Sequence, residues 1–370
     1  MPQLTTNPFK PTAGMNPPEL IGRDLVLEEF IEGMAEGAGA PGRLMRITGA
    51  RGMGKTVVLN EIGQLARDAR WLVIDETASP QMCSNIMARL TPDAEIEHVV
   101  AAPSLLGASV GSIEIDRREL TLRELLAHAI QKNGTGLLIT VDEVQDATLD
   151  QMRMLAVAIQ HLIREGRDIA FVFAGLPSMI DNVINGKTLT FLRRAVPFEL
   201  GEVGSREVSQ SFTETFNGFG MAISGEMADV LSSASHGYPF MIQLVGYHVW
   251  RATRRACLDE VSEATANAGI AAAHDRFEHM VVEPVLQRLS RRSIEYLLAM
   301  AEDEDGASST SAVASRMGMR PKQLSGVRAQ LIDESVIESV SWGEVAFAIP
   351  YMADYLNAHR LDIKRRMGRR

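Results

Sequence analysis

Cysteine is nearly absent. Cys83 and Cys257 stand far apart, with no second pair, in 370 residues. That excludes a disulfide framework and the paired-cysteine spacing of a zinc site, and both read as small buried hydrophobes. Long apolar runs are missing too. Nothing approaches the ~18 residues that a membrane span needs, and the opening MPQLTTNPFKPTAGMNPPEL lacks the apolar centre of a signal peptide. The expected setting is the cytoplasm, with no membrane partner. No internal repeat or low-complexity tract is present, which excludes solenoids and arrays. Positive charge is short overall, at a net −10, and argues against a broad nucleic-acid surface. Its distribution is uneven: residues 285–370 hold 13 Lys and Arg against 11 Asp and Glu, a net +2, and leave −12 for the rest. The excess lies in Lys364 to Arg370, five of whose seven residues are basic. Such a tail reads either as a solvated segment or as a nucleic-acid contact.

What is present centres on Gly49-Ala50-Arg51-Gly52-Met53-Gly54-Lys55-Thr56. An apolar-alternating run, residues 43–48, precedes it, and a segment of helical period from Val57 to about Arg70 follows. The order is strand, glycine loop, helix. Glycines at this spacing let successive N–H groups point at phosphate oxygens, and the following helix adds its positive end. On this reading Gly49 through Val57 cradle the phosphates, Lys55 reaches the outer ones and Thr56 ligates Mg²⁺.

The length allows two or three domains. Residues 1–20 carry five prolines and few periodic apolar residues, so they read as an extended arm laid on the first domain. A helix is expected from Leu25 to about Ala35, with Leu25, Leu27, Phe30 and Ile31 on its apolar side. Strands are expected at 71–75, 136–141, 169–174 and 196–200, with helices at 120–131 and 149–164, and a helix plus irregular chain over 76–116. Strands alternating with helices imply an α/β domain, residues 21–200, with a parallel sheet flanked by helices on both faces. Ligands then belong at the carboxyl ends of the strands.

Strand signals stop near Gly201. Helical patterns at 207–216, 225–235, 238–255 and 261–282 imply a helical domain over 201–284. From 285 to 370 the order changes to a helix at 291–302, a Ser/Thr cap at 308–311, a short helix to Met317, and a helix from Pro321 to about Ser335. Two β-like runs around Trp342-Gly343 and a last helix from Tyr351 follow. That is the order of a winged helix-turn-helix. Arg320, Lys322, Gln323 and Arg328 then lie on the recognition helix, suited to duplex DNA, with Leu324, Val327 and Leu331 as its core side. The acidic Glu302 to Asp305 and the thin net charge count against DNA, and leave a protein-docking or autoinhibitory module as the alternative.

The strand at 136–141 ends in Asp142-Glu143. Asp142 is placed to hold Mg²⁺ through its water shell, and Glu143 to orient and deprotonate a water that attacks the γ-phosphate of ATP.

These residues resemble the AAA+ ATPases, within them the origin-recognition and archaeal-ATPase branch, close also to the STAND signalling ATPases. GARGMGKT is similar to the Walker A motif and LLITVDE to the Walker B motif. The resemblance implies that Ile21, Gly22 and Arg23 line an adenine pocket, that residues 201–284 are a lid, and that Pro239 in His236-Gly237-Tyr238-Pro239-Phe240 packs against the base. It implies that Arg194, in Thr190-Phe191-Leu192-Arg193-Arg194, is an arginine finger presented within a homo-oligomer; two surface arginines are the alternative. The chain departs from the family at Ala174-Gly175, where relatives carry Asn, Ser or Thr as sensor 1, with Ser178 as a substitute nearby. The function implied is a Mg-ATP-driven switch coupled to DNA; the alternative is a signalling switch that docks a protein partner.

Overall fold

The computed structural model describes residues 6–12, 14–99, 120–177, 180, 190–303 and 306–368. Ser178, residues 100–116 of the region that is hard to assign, Asp305, and Arg369 and Arg370 of the tail therefore lie outside the described residues. The chain divides into two compact units. One comprises Asp24–Thr48 and Val58–Glu199; the other comprises Met1–Arg23, Gly49–Val57 and Leu200–Arg370.

The first unit is built on five parallel strands: β1 (Leu44–Thr48), β2 (Leu72–Thr77), β3 (Leu137–Asp142), β4 (Ile169–Gly175) and β5 (Val196–Glu199). Their order is β2-β3-β4-β1-β5. Every residue of β4 is buried, and so are Leu137 to Val141 of β3, which is why both read as continuous apolar runs. The register sets Thr48 against Gly175 and Val141 against Phe173, so β1, β3 and β4 end on one edge of the sheet.

Helices α1 (Asp24–Glu36), α2 (Lys55–Asp68), α3 (Met82–Val99), α4 (Leu122–Asn133) and α5 (Leu149–Arg164) accompany the strands, α2 having its first residues in the second unit. A Thr121/Glu124 capping box starts α4 and Thr148 caps α5, each satisfying backbone donors that a helix start leaves open. Helix α1 corrects part of the expected face. Phe30 is buried as expected, with Val26 and Gly33 beside it, while Leu25 is 74% and Ile31 44% exposed. The cause is the close approach of Gly33 to the backbone of Gly42, where a β-carbon would stand 2.6 Å from the carbonyl carbon.

The second unit holds α6 (Ser205–Gly218), α7 (Gly225–Ser233), α8 (Pro239–Arg255) and α9 (Glu263–Phe277). A single wide turn, Glu278–Val282, joins α9 to α10 (Glu283–Arg288), so the helix expected to 282 changes its winding there. Asn7 and Phe9 of the expected arm pack within this second unit. Asn7 Nδ2 donates to the Tyr247 carbonyl at 3.1 Å, and the Phe9 ring lies 5.1 Å from Phe216 and 5.9 Å from Phe212. Gly246 makes room for it, since a β-carbon there would collide with the Phe9 ring.

The chain ends in α11 (Arg291–Met300), β6 (Ala307–Ser309), α12 (Thr310–Arg316), α13 (Pro321–Asp333), β7 (Ile337–Ser341), β8 (Glu344–Phe347), α14 (Met352–Ala358) and α15 (Arg360–Gly368). The three strands form an antiparallel sheet in the order β6-β8-β7. Strand β6 replaces part of the expected Ser/Thr cap: Ser308 and Ser309 pair with Val345 and Glu344 before α12 begins.

Candidate nucleotide site

The glycine loop runs directly from β1 into the first turn of α2, which begins at Lys55, two residues earlier than its periodicity indicates. Gly52 and Gly54 have φ of 81° and 86°, a region open to glycine at little cost. Lys55 is buried and its ammonium donates inward to the carbonyls of Gly49 at 2.9 Å and Ala50 at 3.0 Å. A positive charge is thus held at the mouth of the loop, beside a helix start that carries its own partial positive charge.

Residues 22 and 23 are fastened to the same loop. Gly22 passes close to Glu207 and Val203. The buried Arg23 guanidinium donates to the carbonyls of Met53 at 3.3 Å and Gly201 at 2.6 Å. Burial lowers its pKa, opposed by the Glu207 carboxylate. Arg23 thereby ties the loop to the first residue of the helical region.

Sequence reasoning singled out Pro239 in the next segment. It lies half-buried at the start of α8, but the residue that meets the loop is its neighbour. The Tyr238 hydroxyl donates to the Arg51 carbonyl at 2.6 Å, and a β-carbon on Gly52 would collide with that hydroxyl. The Tyr238 ring is buried edge-on to Phe277 at 5.8 Å, and burial pushes its phenol pKa up, so it remains a donor. The missed signal was the phenol itself, since a buried tyrosine needs a partner for its hydroxyl.

At the ends of β3 and β4, Asp142 closes β3 and its carboxylate accepts the Glu143 N–H at 2.9 Å. Glu143 adopts φ 53°, ψ 47°, which turns the chain out of the strand into a tight helical turn, Val144–Asp146. Gln145 in that turn donates from Nε2 to Glu143 Oε2 and accepts at Oε1 from the Leu176 N–H at 3.4 Å. Gln145 was not anticipated; an amide two residues beyond the glutamate was the only sequence trace.

Arg194 is exposed at the end of the single helical turn Thr190–Arg194, before β5. In the C-terminal region Arg320 and Lys322 are exposed at the start of α13, and the side chain of the exposed Gln323 accepts the Arg320 N–H at 2.9 Å as a helix cap. Arg328 is half-buried, near enough to the buried Tyr296 phenol for its charge to act on it. Leu324 and Leu331 are buried and Val327 half-buried, as helical spacing indicated. Asp303 pairs with Arg316, and Glu302 with Arg316 and with Arg360 at 2.6 Å, which neutralises part of the acidic run.

Among the described residues no three His, Cys, Asp or Glu side chains form a metal cluster, and no helix is long and apolar enough to cross a membrane.

A family model described as "AAA ATPase domain" matches residues 19–172, and one described as "Domain of unknown function (DUF8462)" matches residues 279–356. A search of the curated proteins gave no match. Among solved structures, the Walker-type ATPase of Pyrococcus abyssi superposes with a TM-score of 0.66 at 13% identity, over 91% of this chain and 96% of that one. The Aeropyrum pernix ORC2 protein, in its ADPNP-ADP complexes, gives 0.62 at 15% identity, over 97% and 98%. The Thermotoga maritima RuvB Holliday junction branch migration motor gives 0.51 at 14%, over 91% and 95%. At these identities the likeness is one of fold. Residues 19–172 thus match an AAA ATPase domain model, and the chain shares, over nearly its whole length, the fold of the Pyrococcus abyssi Walker-type ATPase and the Aeropyrum pernix ORC2 protein.

Proposed function

We propose that the chain hydrolyses ATP and uses the nucleotide state to switch a DNA-binding C-terminal module. The observation that carries the ATPase reading is the placement of the glycine loop after β1 and of Asp142-Glu143 after β3, at one edge of one parallel sheet. Gly49 to Val57 hold the phosphates through backbone N–H groups and Lys55 draws charge from the outer ones. Gly22, Arg23 and Pro239 border the base. Glu143 takes a proton from water as the water oxygen bonds to the γ-phosphorus. The bond from that phosphorus to the β–γ bridging oxygen breaks, and ADP leaves with the electron pair. Arg194, supplied to a neighbouring copy in an oligomer, neutralises the charge that develops on the transferred group.

Mg²⁺ suits the donors present. Thr56 offers a hydroxyl and Asp142 a carboxylate, both hard oxygens, a set that Mg²⁺ completes with phosphate oxygens and water rather than with an all-protein cage. Held by Thr56 and Asp142, it would supply charge neutralisation to the phosphates.

For the C-terminal module, the helix order and the antiparallel sheet of residues 291–347 support a winged helix. Its helix α13 presents Arg320, Lys322 and Gln323 at an exposed start, with Arg328 further along. The internal pairing of Glu302 and Asp303 lessens repulsion of phosphate. One observation favours the alternative, a switch that docks a protein. The β7–β8 tip carries a fully exposed Trp342 and an exposed Val340 between Glu338 and Glu344, an apolar and acidic surface ill-suited to DNA. A cytoplasmic location accords with either reading.

Steady-state ATP turnover by wild type and Glu143→Gln, with and without duplex DNA at two salt concentrations, tests the proposal. Turnover stimulated by DNA, lost in Glu143→Gln, with binding that weakens steeply with salt, is the expected result. Turnover indifferent to DNA, together with a stoichiometric protein partner, replaces the DNA reading with the docking one.

A further inference from the structure

The reaction as described leaves Gln145 unused, yet its carboxamide is bound at both ends, to the Glu143 carboxylate and to the Leu176 N–H. Chemistry fixes its orientation. Reversed, the amide oxygen would face a carboxylate and its NH₂ group would face an N–H.

The second partner matters because of where it lies. Leu176 follows Gly175, the last residue of β4, and neither Ala174 nor Gly175 has a polar side chain. Nor is there room for one at 175. A β-carbon on Gly175 would stand 2.6 Å from Val144 Cγ2 and 2.9 Å from Gln145 Oε1. The space beside the end of β4 is taken by the turn that follows β3.

The backbone of Glu143 is held independently, by Asp142 Oδ1 on its N–H at 2.9 Å and by the Asp146 N–H on its carbonyl at 2.8 Å. What these bonds leave loose is the side chain, whose rotamers are many. Gln145 removes that freedom.

We infer that Gln145 is the positioning residue for Glu143. It supplies, from the turn after β3, the polar group that Ala174 and Gly175 lack, and holds the carboxylate between the ends of β3 and β4 for activation of water. The inference rests on the ATPase reading.

The test measures kcat, ATP affinity and Tm on the full chain for wild type, Glu143→Gln, Gln145→Ala, Gln145→Glu and the Glu143→Gln/Gln145→Ala pair. A misplaced base costs about 100-fold in rate, so Gln145→Ala is expected to lose about that factor in kcat with ATP affinity unchanged. Added to Glu143→Gln it causes no further loss, as expected of two groups that act as one unit. Gln145→Glu fills the same space but cannot donate to a carboxylate at neutral pH, and loses kcat likewise, which separates the role from a packing defect. An unchanged or raised kcat in Gln145→Ala or Gln145→Glu, or a further loss in the pair, overturns the inference. If only the Gln145 variants are silent while Glu143→Gln abolishes turnover, the ATPase reading stands and this one falls. A wild type without turnover, or turnover indifferent to Glu143→Gln, overturns both.

Discussion

Gly52 has two reasons to be glycine, one in its backbone and one in the space beside it. Its φ of 81° already disfavours any side chain, and the Tyr238 hydroxyl occupies the place where a β-carbon would go. Gly52→Ala should therefore lower stability by about 1–3 kcal/mol, the usual cost of such backbone strain, read as a shift in the urea midpoint. Tyr238→Phe in the same chain removes the colliding oxygen and should return part of the loss. A full loss in the double variant would place the strain in the backbone or against the ring carbon that phenylalanine keeps, 2.5 Å from where the β-carbon would stand. At this scale the sequence was legible in position: the spacing put Lys55 at a helix start and Asp142 at a strand end, where the structure has them. Tyr238 and Gln145 were not legible, because each acts on a group remote from it in sequence, Arg51 and Leu176 respectively, and only the fold creates the pair.

Among the elements, the parallel strands could be read directly, since burial on both faces leaves continuous apolar runs such as 137–141 and 169–174. Helix α1 could not. Its periodicity pointed to Phe30 correctly but to Leu25 and Ile31 wrongly, and the buried side instead takes in Val26 and Gly33, where the backbone approaches Gly42. Strand β6 was hidden for a related reason. Its three residues are serine-rich and become a strand only by pairing with Glu344 to Ala346. The acidic segment after α11 gives a testable consequence. Hydrogen bonds from Arg316 hold the Asp303 carboxyl below its ordinary value. A carboxyl lowered in the folded state contributes stability above its unfolded pKa of about 3.9 and loses it as pH falls through the lower folded value. Acid should thus destabilise the C-terminal region progressively below about pH 4. Arg316→Gln should flatten that dependence in denaturation midpoints measured from pH 6 downward, while an unaltered slope would show that Asp303 contributes nothing to it.

At the scale of the whole molecule, the proposed coupling of DNA affinity to nucleotide requires a connection between the glycine loop and the C-terminal module of this acidic protein. The second unit offers a continuous route. Arg51 in the phosphate loop accepts the Tyr238 hydroxyl, the Tyr238 ring meets Phe277 at 5.8 Å, and Phe277 meets Tyr351 at 6.3 Å. Tyr351 opens α14, directly after the antiparallel sheet, in a left-handed conformation with φ 59°, and its hydroxyl donates to the Ala234 carbonyl beyond α7. Its ring also lies 4.7 Å from His236 and 4.2 Å from His274. A phosphate that repositions the loop changes the partner of Tyr238, and close-packed rings pass a displacement on rather than absorb it. Coupling between two sites is commonly worth about 5- to 150-fold in affinity, and DNA titrations of the wild type with and without a non-hydrolysable ATP analogue should fall in that range. Tyr351→Ala, which leaves the loop residues intact, should keep ATP affinity and DNA binding but bring the two DNA affinities together. If the variant retains the full nucleotide effect, the aromatic route is not the connection. If it loses ATP binding as well, Tyr351 acts on the fold of the helical region and not on communication.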